Sequence, residues 1–265
     1  MDQWPIIVLL LIASVILPPL AVWWLSQRSR LSPFLHSLAG VSAPFMGVMS
    51  LLFSLNLVFV CNEIWQSRER AELAMSREAE ALRNIGRIAS NVPERGGLPI
   101  MEAARQYLEA VIEFDFAKDS ASADLVSLDK SSLPAVINLA DVILDGSNLD
   151  KIRPAVRTLL ITQLTVARDN RLERVALQKI TPNKVKWFSL LFLEFAALLG
   201  IAVVHVVNGR ALLVACFIFL GGTNPFLAAL YSSRSPFSGI DPLHNKALAA
   251  ALDRLKSMEE VYKKG

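Results

Sequence analysis

The residues best placed to do chemistry in this chain are polar groups set in apolar surroundings. Glu194 is the only acid between Trp187 and Val207. A carboxyl at membrane depth is costly and marks an ion or proton path by default. The plainer reading is a protonated or hydrogen-bonded glutamate packed between helices. A second feature is Gly221-Gly222-Thr223-Asn224-Pro225. Pro225 has no N–H for the carbonyl of Gly221, so a helix here is expected to kink. Broken helices line cavities in transport proteins, and they also serve as packing adaptations. A third is Ser50, Ser54 and Asn56, with Leu51 and Leu55 one turn apart. Small polar and branched apolar residues on one face suit a pore constriction and suit helix packing equally well.

Soluble enzyme chemistry finds no support. His36, His205 and His244 have no metal-ligating neighbour at i+4, and no G-x-S-x-G, P-loop or G-x-G-x-x-G is present. Basic and aromatic residues do not interleave as in nucleic-acid binders. The reading is therefore not an enzyme, with no cofactor, no metal and no nucleic-acid partner. Cys61 and Cys216 fall in apolar blocks without disulfide or metal spacing, so two inert thiols are expected.

The elements that carry these residues are visible in the composition. The chain has 265 residues, 53% hydrophobic and 19% charged, with a net charge of +3. Its mean hydropathy is +0.42. The excess lies in blocks. Trp4–Leu25, Val41–Cys61 and Ala211–Tyr231 carry no charge, and Trp187–Val207 carries only Glu194 besides His205. A helix of such length spans about 31 Å, the thickness of the hydrocarbon core. The blocks therefore predict four transmembrane helices. The first block lacks a basic n-region and an A-x-A site, so it reads as a retained span rather than a signal peptide. Pro18-Pro19 should kink or break it.

Four spans place both termini and the segment 66–183 on one face. That face carries Arg68, Arg70, Arg77, Arg171, Arg174, Lys179, Lys184, Lys186 and Arg234, against Arg28, Arg30 and Arg210 opposite. Lys and Arg accumulate on the cytoplasmic side, which makes the termini cytoplasmic. The segment 66–183 holds 33 of the chain's 51 charges. Positions 64, 68, 71, 75, 78, 82, 85, 89 and 92 alternate steps of four and three, the seam of a packed helix continuing from the second span. Helices are further expected over 99–118, with Ala103, Tyr107, Ala110, Val111 and Phe114 inward, over 133–145 after a loop from 119 to 132, and over 150–180. The last carries the seam Ile152, Val156, Leu159, Gln163, Val166, Asn170, Glu173 and Leu177. Glu78 is expected to pair with an arginine of the 168–174 run, or else these groups line a water-filled vestibule.

Three motifs now resemble a known family. Trp65-Gln66-Ser67-Arg68, continuing to Glu78-Ala79-Glu80-Ala81-Leu82 and Arg87, is similar to the start of the cytoplasmic part of the bestrophin-like membrane proteins. Arg168-Asp169-Asn170-Arg171-Leu172, leading through Thr181-Pro182 to Trp187, resembles that family's re-entry into the membrane. Ser235-Pro236-Phe237-Ser238-Gly239, then Pro242, resembles its signature after the last span. The family is in turn similar to the bestrophin anion channels, pentamers with four spans. The resemblance implies a pore lined by the second span, with a neck near Gly47, Leu51 and Leu55, or one register on at Val48, Leu52 and Asn56. It departs in two places. Only Asp241 comes after the Pro-Phe-Gly element, where the animal channels carry a run of acids that bind calcium. The aromatic side chains of the bestrophin neck are replaced by Leu51 and Leu55.

The expected fold class is all-α, a polytopic membrane protein with four transmembrane helices and a cytoplasmic helical bundle between spans two and three. Spans one and two occupy 1–65, the cytoplasmic region 66–183, spans three and four 184–231, and a cytoplasmic tail 232–265. The expected function is an oligomeric ion channel of the bacterial inner membrane, anion-type and pentameric by resemblance, with the lipid bilayer, further copies of the chain and an inorganic ion as partners. Two alternatives stand beside it: a non-conducting membrane-anchored interaction or sensory module, and a proton-coupled transporter using Glu194.

Overall fold

The structure, a computed structural model, describes residues 4–30, 32–38, 43–93, 96–116, 125–144, 152–178, 184–237 and 242–264. These residues are helical or irregular, with no strand among them. The chain divides into two compact units, Met1–Trp65 with Thr181–Arg234, and Gln66–Ile180 with Ser235–Gly265.

The first unit contains α1 (Trp4–Arg28), the short α2 (Ser32–Ser37), the first part of α3 (Ala43–Ala89), α7 (Lys184–Val204) and α8 (Gly209–Ser232). Of the helices described, α3, α7 and α8 are long and apolar enough to cross a bilayer. Their inward side chains form small clusters. Phe53 packs with Leu190 and Leu227, and Val60 and Cys61 pack with Leu230. Leu198, Ala202, Leu212, Cys216 and Leu220 make a further cluster that Val22 and Trp23 of α1 cover. Asn208 caps α8, its side-chain oxygen accepting from the main-chain N–H groups of Arg210 and Ala211 at 3.2 Å each.

Pro18-Pro19 does not break α1, which continues through both prolines. Pro18 has no N–H for the carbonyl of Ser14 four residues back. Asn224 of α8 supplies the missing donor, its Nδ2 reaching that carbonyl at 2.8 Å. Gln27 Nε2 donates to the carbonyl of Val206 at 2.8 Å and ties the other end of α1. Such bonds matter where no water competes for the backbone.

The second unit packs the rest of α3 against α4 (Leu98–Ala110), a π-turn (Val111–Asp115), α5 (Leu125–Leu144), α6 (Pro154–Gln178) and α9 (Lys246–Lys264). The α3 seam forms as its spacing predicts, with Ala71, Met75, Glu78, Leu82, Ile85, Ala89 and Val92 buried. Met75, Leu82, Ile85, Ala89 and Val92 share one core with Tyr107, Leu139, Leu160, Leu248 and Leu255. At Gly86 the side chain of Leu255 fills the space a Cβ would take.

Three expectations for this unit need correction. The segment 125–132, expected as loop, belongs to α5, which starts at Leu125 rather than Leu133 and runs through Pro134. Ser131-Ser132-Leu133-Pro134 imitates a helix start, because proline is favoured in a first turn. The seam expected through α6 holds at Ile152, Asn170 and Leu177, which are buried, and fails at two positions. Leu159 is 54% exposed and Leu160 fully buried. Glu173 is likewise exposed and Arg174 buried. Arg174 takes the inward place at that turn because an arginine with carboxylate partners is tolerated inside. Finally, Phe114 is exposed, not inward, while Asp115 is buried. The π-turn inserts a residue into the helical repeat and rotates the residues after it.

Candidate functional site

In the first unit, α3 leaves one broad face uncovered. Gly47, Val48, Leu51, Leu52, Leu55, Val58 and Phe59 are exposed, Leu51 at 68% and Leu55 at 52%, while Phe53 and Val60 point inward. Nothing lies within 4 Å of where a Cβ on Gly47 would sit. Gly47, Leu51 and Leu55 recur every fourth residue, so they form one stripe on that face. Asn56 does not belong to the stripe. Its Nδ2 donates to Ser189 Oγ of α7 at 3.1 Å, and Ser189 Oγ donates to the carbonyl of Lys186 at 2.8 Å. Asn56 therefore acts in packing between α3 and α7.

The other intramembrane polar residues also turn toward neighbouring helices. Glu194 is half-buried and accepts from Thr223 Oγ1 of α8 at 3.2 Å. Thr223 has a second acceptor in the carbonyl of Phe219 at 3.0 Å. Its single proton serves one of these at a time. Asn224 completes the α1 backbone as described. Gly221 and Gly222 are exposed, with nothing within 4 Å of either Cβ position. The helix α8 continues through Pro225. The thiols of Cys61 and Cys216 are buried.

The second unit holds a cluster of buried charge. Arg174 of α6 and Glu78 of α3 are both fully buried. Arg174 Nε donates to Glu78 Oε2 at 2.7 Å and Nη2 to Oε1 at 3.3 Å. Nη2 also donates to Asp115 Oδ2 at 2.8 Å. Arg171 Nε lies 3.6 Å from the same Asp115 oxygen. Tyr107 Oη donates to Glu78 Oε1 at 2.8 Å. Two arginines thus face two carboxylates, so the buried charge is balanced. Burial alone would lower the pKa of Arg174. The charge of Glu78 and its hydrogen bonds, and then Asp115, outweigh that effect and raise it. Burial, then the neighbouring negative charge of Glu78, pushes the Tyr107 hydroxyl well above its usual range, so it stays a donor.

The expected partner of Glu78 in the 168–174 run is Arg174. Sequence reasoning misses Asp115 as a member of the cluster and takes Tyr107 only as an apolar contact. Their spacing holds the signal: 107, 111 and 115 recur every fourth residue, which aligns Asp115 with two core positions. Of the motif residues, Trp65 is 62% exposed, Arg68 half-buried, Arg171 and Pro236 buried, and Phe237 half-buried. Gly239 and Asp241 lie outside the described residues. Phe237 meets Phe116 edge-on, with centroids 5.8 Å apart.

A family model for the bestrophin-like domain matches residues 13–242. No curated protein matches the chain. Among solved structures, a bacterial bestrophin homologue from Klebsiella pneumoniae phased with zinc is 11% identical, covering 96% of this chain and 98% of its own, at TM-score 0.69. A single-residue variant described as the same homologue from that organism is also 11% identical, covering 98% and 100% respectively, at TM-score 0.70. At this identity the likeness is one of fold.

Proposed function

The chain belongs to the bestrophin-like family, and on that premise we propose that it is an oligomeric ion channel whose pore is lined by the uncovered face of α3. The observation that carries the reading is that face itself. It presents Gly47, Leu51 and Leu55 outward on a helix whose opposite side is packed on α7 and α8. Several copies arranged around one axis turn these stripes toward each other. A neck of leucine side chains excludes water when narrow and conducts when it widens, which is gating by dewetting. α1 serves as the fourth span. Both termini and the second unit are cytoplasmic, and the exposed side of α3 beyond Trp65, together with α6, forms the walls of a vestibule. By family resemblance the assembly is a pentamer in a bacterial inner membrane and the permeant ion an anion.

The transporter alternative rests on Glu194. Its carboxylate engages Thr223 on the neighbouring helix, which favours a packing role. Glu194→Gln is expected to leave flux and its pH dependence unchanged. The purified protein in planar bilayers under a chloride gradient tests the channel reading. Current with a reversal potential on the chloride side supports it. A stable complex that passes no current supports the interaction module instead.

A further inference from the structure

Arg174 does more than pair with Glu78. Gln178, one turn along α6, donates its Nε2 to the main-chain carbonyl of Asp115 at 3.1 Å. Arg174 holds the side chain of the same residue at 2.8 Å. Together they grip both the main chain and the carboxylate at the end of the π-turn Val111–Asp115. A π-turn is rare and persists where its surroundings over-determine it. The next residue, Phe116, lies against the Arg174 guanidinium, with its ring centroid 5.2 Å away. The same ring, which also packs on the core of this unit, meets Phe237 edge-on. Phe237 comes directly after Pro236, whose carbonyl accepts from the N–H of Leu243 at 2.8 Å and so closes a loop.

These contacts form a chain from α6 through Asp115 and Phe116 to Phe237. The link to Glu78 shares a nitrogen with this chain: Arg174 Nε and Nη2 donate to the Glu78 carboxylate, and Nη2 also donates to Asp115. We propose that Arg174 is a positioning residue that sets the place of the Phe237 segment by clasping the π-turn. It is a conformational coupling between α6 and the stretch after α8 in sequence. It stands whether or not the chain conducts.

The test is thiol labelling at a cysteine introduced by Ser235→Cys, a half-buried position two residues before Phe237. The background carries Cys61→Ala and Cys216→Ala, which removes the native thiols. The rate of maleimide modification reads how often the segment opens. Asp115→Asn removes the buried charge that faces both Arg174 and Arg171 and should raise the rate roughly tenfold or more. Phe116→Leu keeps every ion pair and removes the ring relay, so it should raise the rate similarly and covers the case in which Asp115→Asn does not fold. Asn84→Ala, which removes the α3–α6 bond to Gln163 that none of these residues shares, should leave the rate within about twofold. An unchanged rate in Phe116→Leu overturns the proposal. So does an equal rise in Asn84→Ala, which marks general loosening of the unit. Labelling needs no current, so its outcome is distinct from that of the channel measurement.

Discussion

Replacing Arg174 by methionine tests whether the buried charges of the second unit stand or fall on one residue. The substitution keeps most of the side-chain volume and removes the guanidinium. Glu78 then retains only the Tyr107 hydroxyl, and Asp115 retains Arg171 at 3.6 Å. Removing one partner of a buried pair costs about 3–5 kcal/mol, because it strands the other charge. Here two carboxylates lose their closest cation, with Arg171 offsetting part of the loss at Asp115, so about 4 kcal/mol is expected. That is a large share of the roughly 5–15 kcal/mol typical of a folded protein. At roughly 2–4 °C per kcal/mol for a chain of this size, the melting temperature should fall by about 8–16 °C. Arg174→Lys keeps the charge, loses the forked geometry and should cost only about 1–2 kcal/mol. Tyr107→Phe removes one of several bonds to Glu78 and should cost about 1 kcal/mol. The assay is thermal unfolding of the detergent-solubilised protein, monitored by tryptophan fluorescence and circular dichroism. A methionine variant melting within about 2 °C of the parent would show that the two carboxylates do not depend on Arg174. A lysine variant as damaged as the methionine one would show that charge is not what they need.

Single contacts supply further outcomes. Asn224→Leu takes away the donor that completes the Ser14 carbonyl at Pro18 and should lower stability by about 1–2 kcal/mol, read as an earlier thermal transition. Gly86→Ala drives a methyl into Leu255 and should cost about 1–3 kcal/mol. In a Leu255→Ala background the same change should cost much less, and a double-mutant cycle reads the difference. Burial raises the pKa of Glu109, but hydrogen bonds from Lys256 and Arg105 outweigh it and hold the carboxyl below its usual range. A depressed folded value means that the stabilisation is present at neutral pH and is lost as pH falls below about 4. Hydrogen exchange should therefore show α9 losing protection in acid, and Glu109→Gln should reduce that pH dependence.

Much of the helical frame is legible in the sequence because apolar spacing dictates it. The α3 seam holds its pattern from Ala71 to Val92, and the buried Glu78 within it requires a cation nearby. The misreadings have physical causes. The seam puts Glu173 inward where Arg174 stands, because a lone arginine is rarely buried and only its two carboxylate partners reverse that rule. Phe114 reads as inward because it continues the apolar face of Tyr107, Ala110 and Val111, whereas the π-turn brings the polar Asp115 inside instead. α1 reads as breakable because the donor that completes it, Asn224, is 210 residues away in sequence. Sequence distance likewise hides the packing role of Asn56, whose partner Ser189 lies on another helix. The stripe of Gly47, Leu51 and Leu55 is legible as a register.

Whether this face lines a pore is tested most directly by Leu51→Cys in the background lacking Cys61 and Cys216, recorded in a planar bilayer while a charged methanethiosulfonate is added. Ile218→Cys is the comparison, since Ile218 is equally exposed, at 72%, but lies on α8. A pore lined by α3 predicts a current that falls irreversibly when Leu51→Cys is modified and a current unaffected in Ile218→Cys. An unmodified current at position 51, or equal loss at both positions, contradicts it.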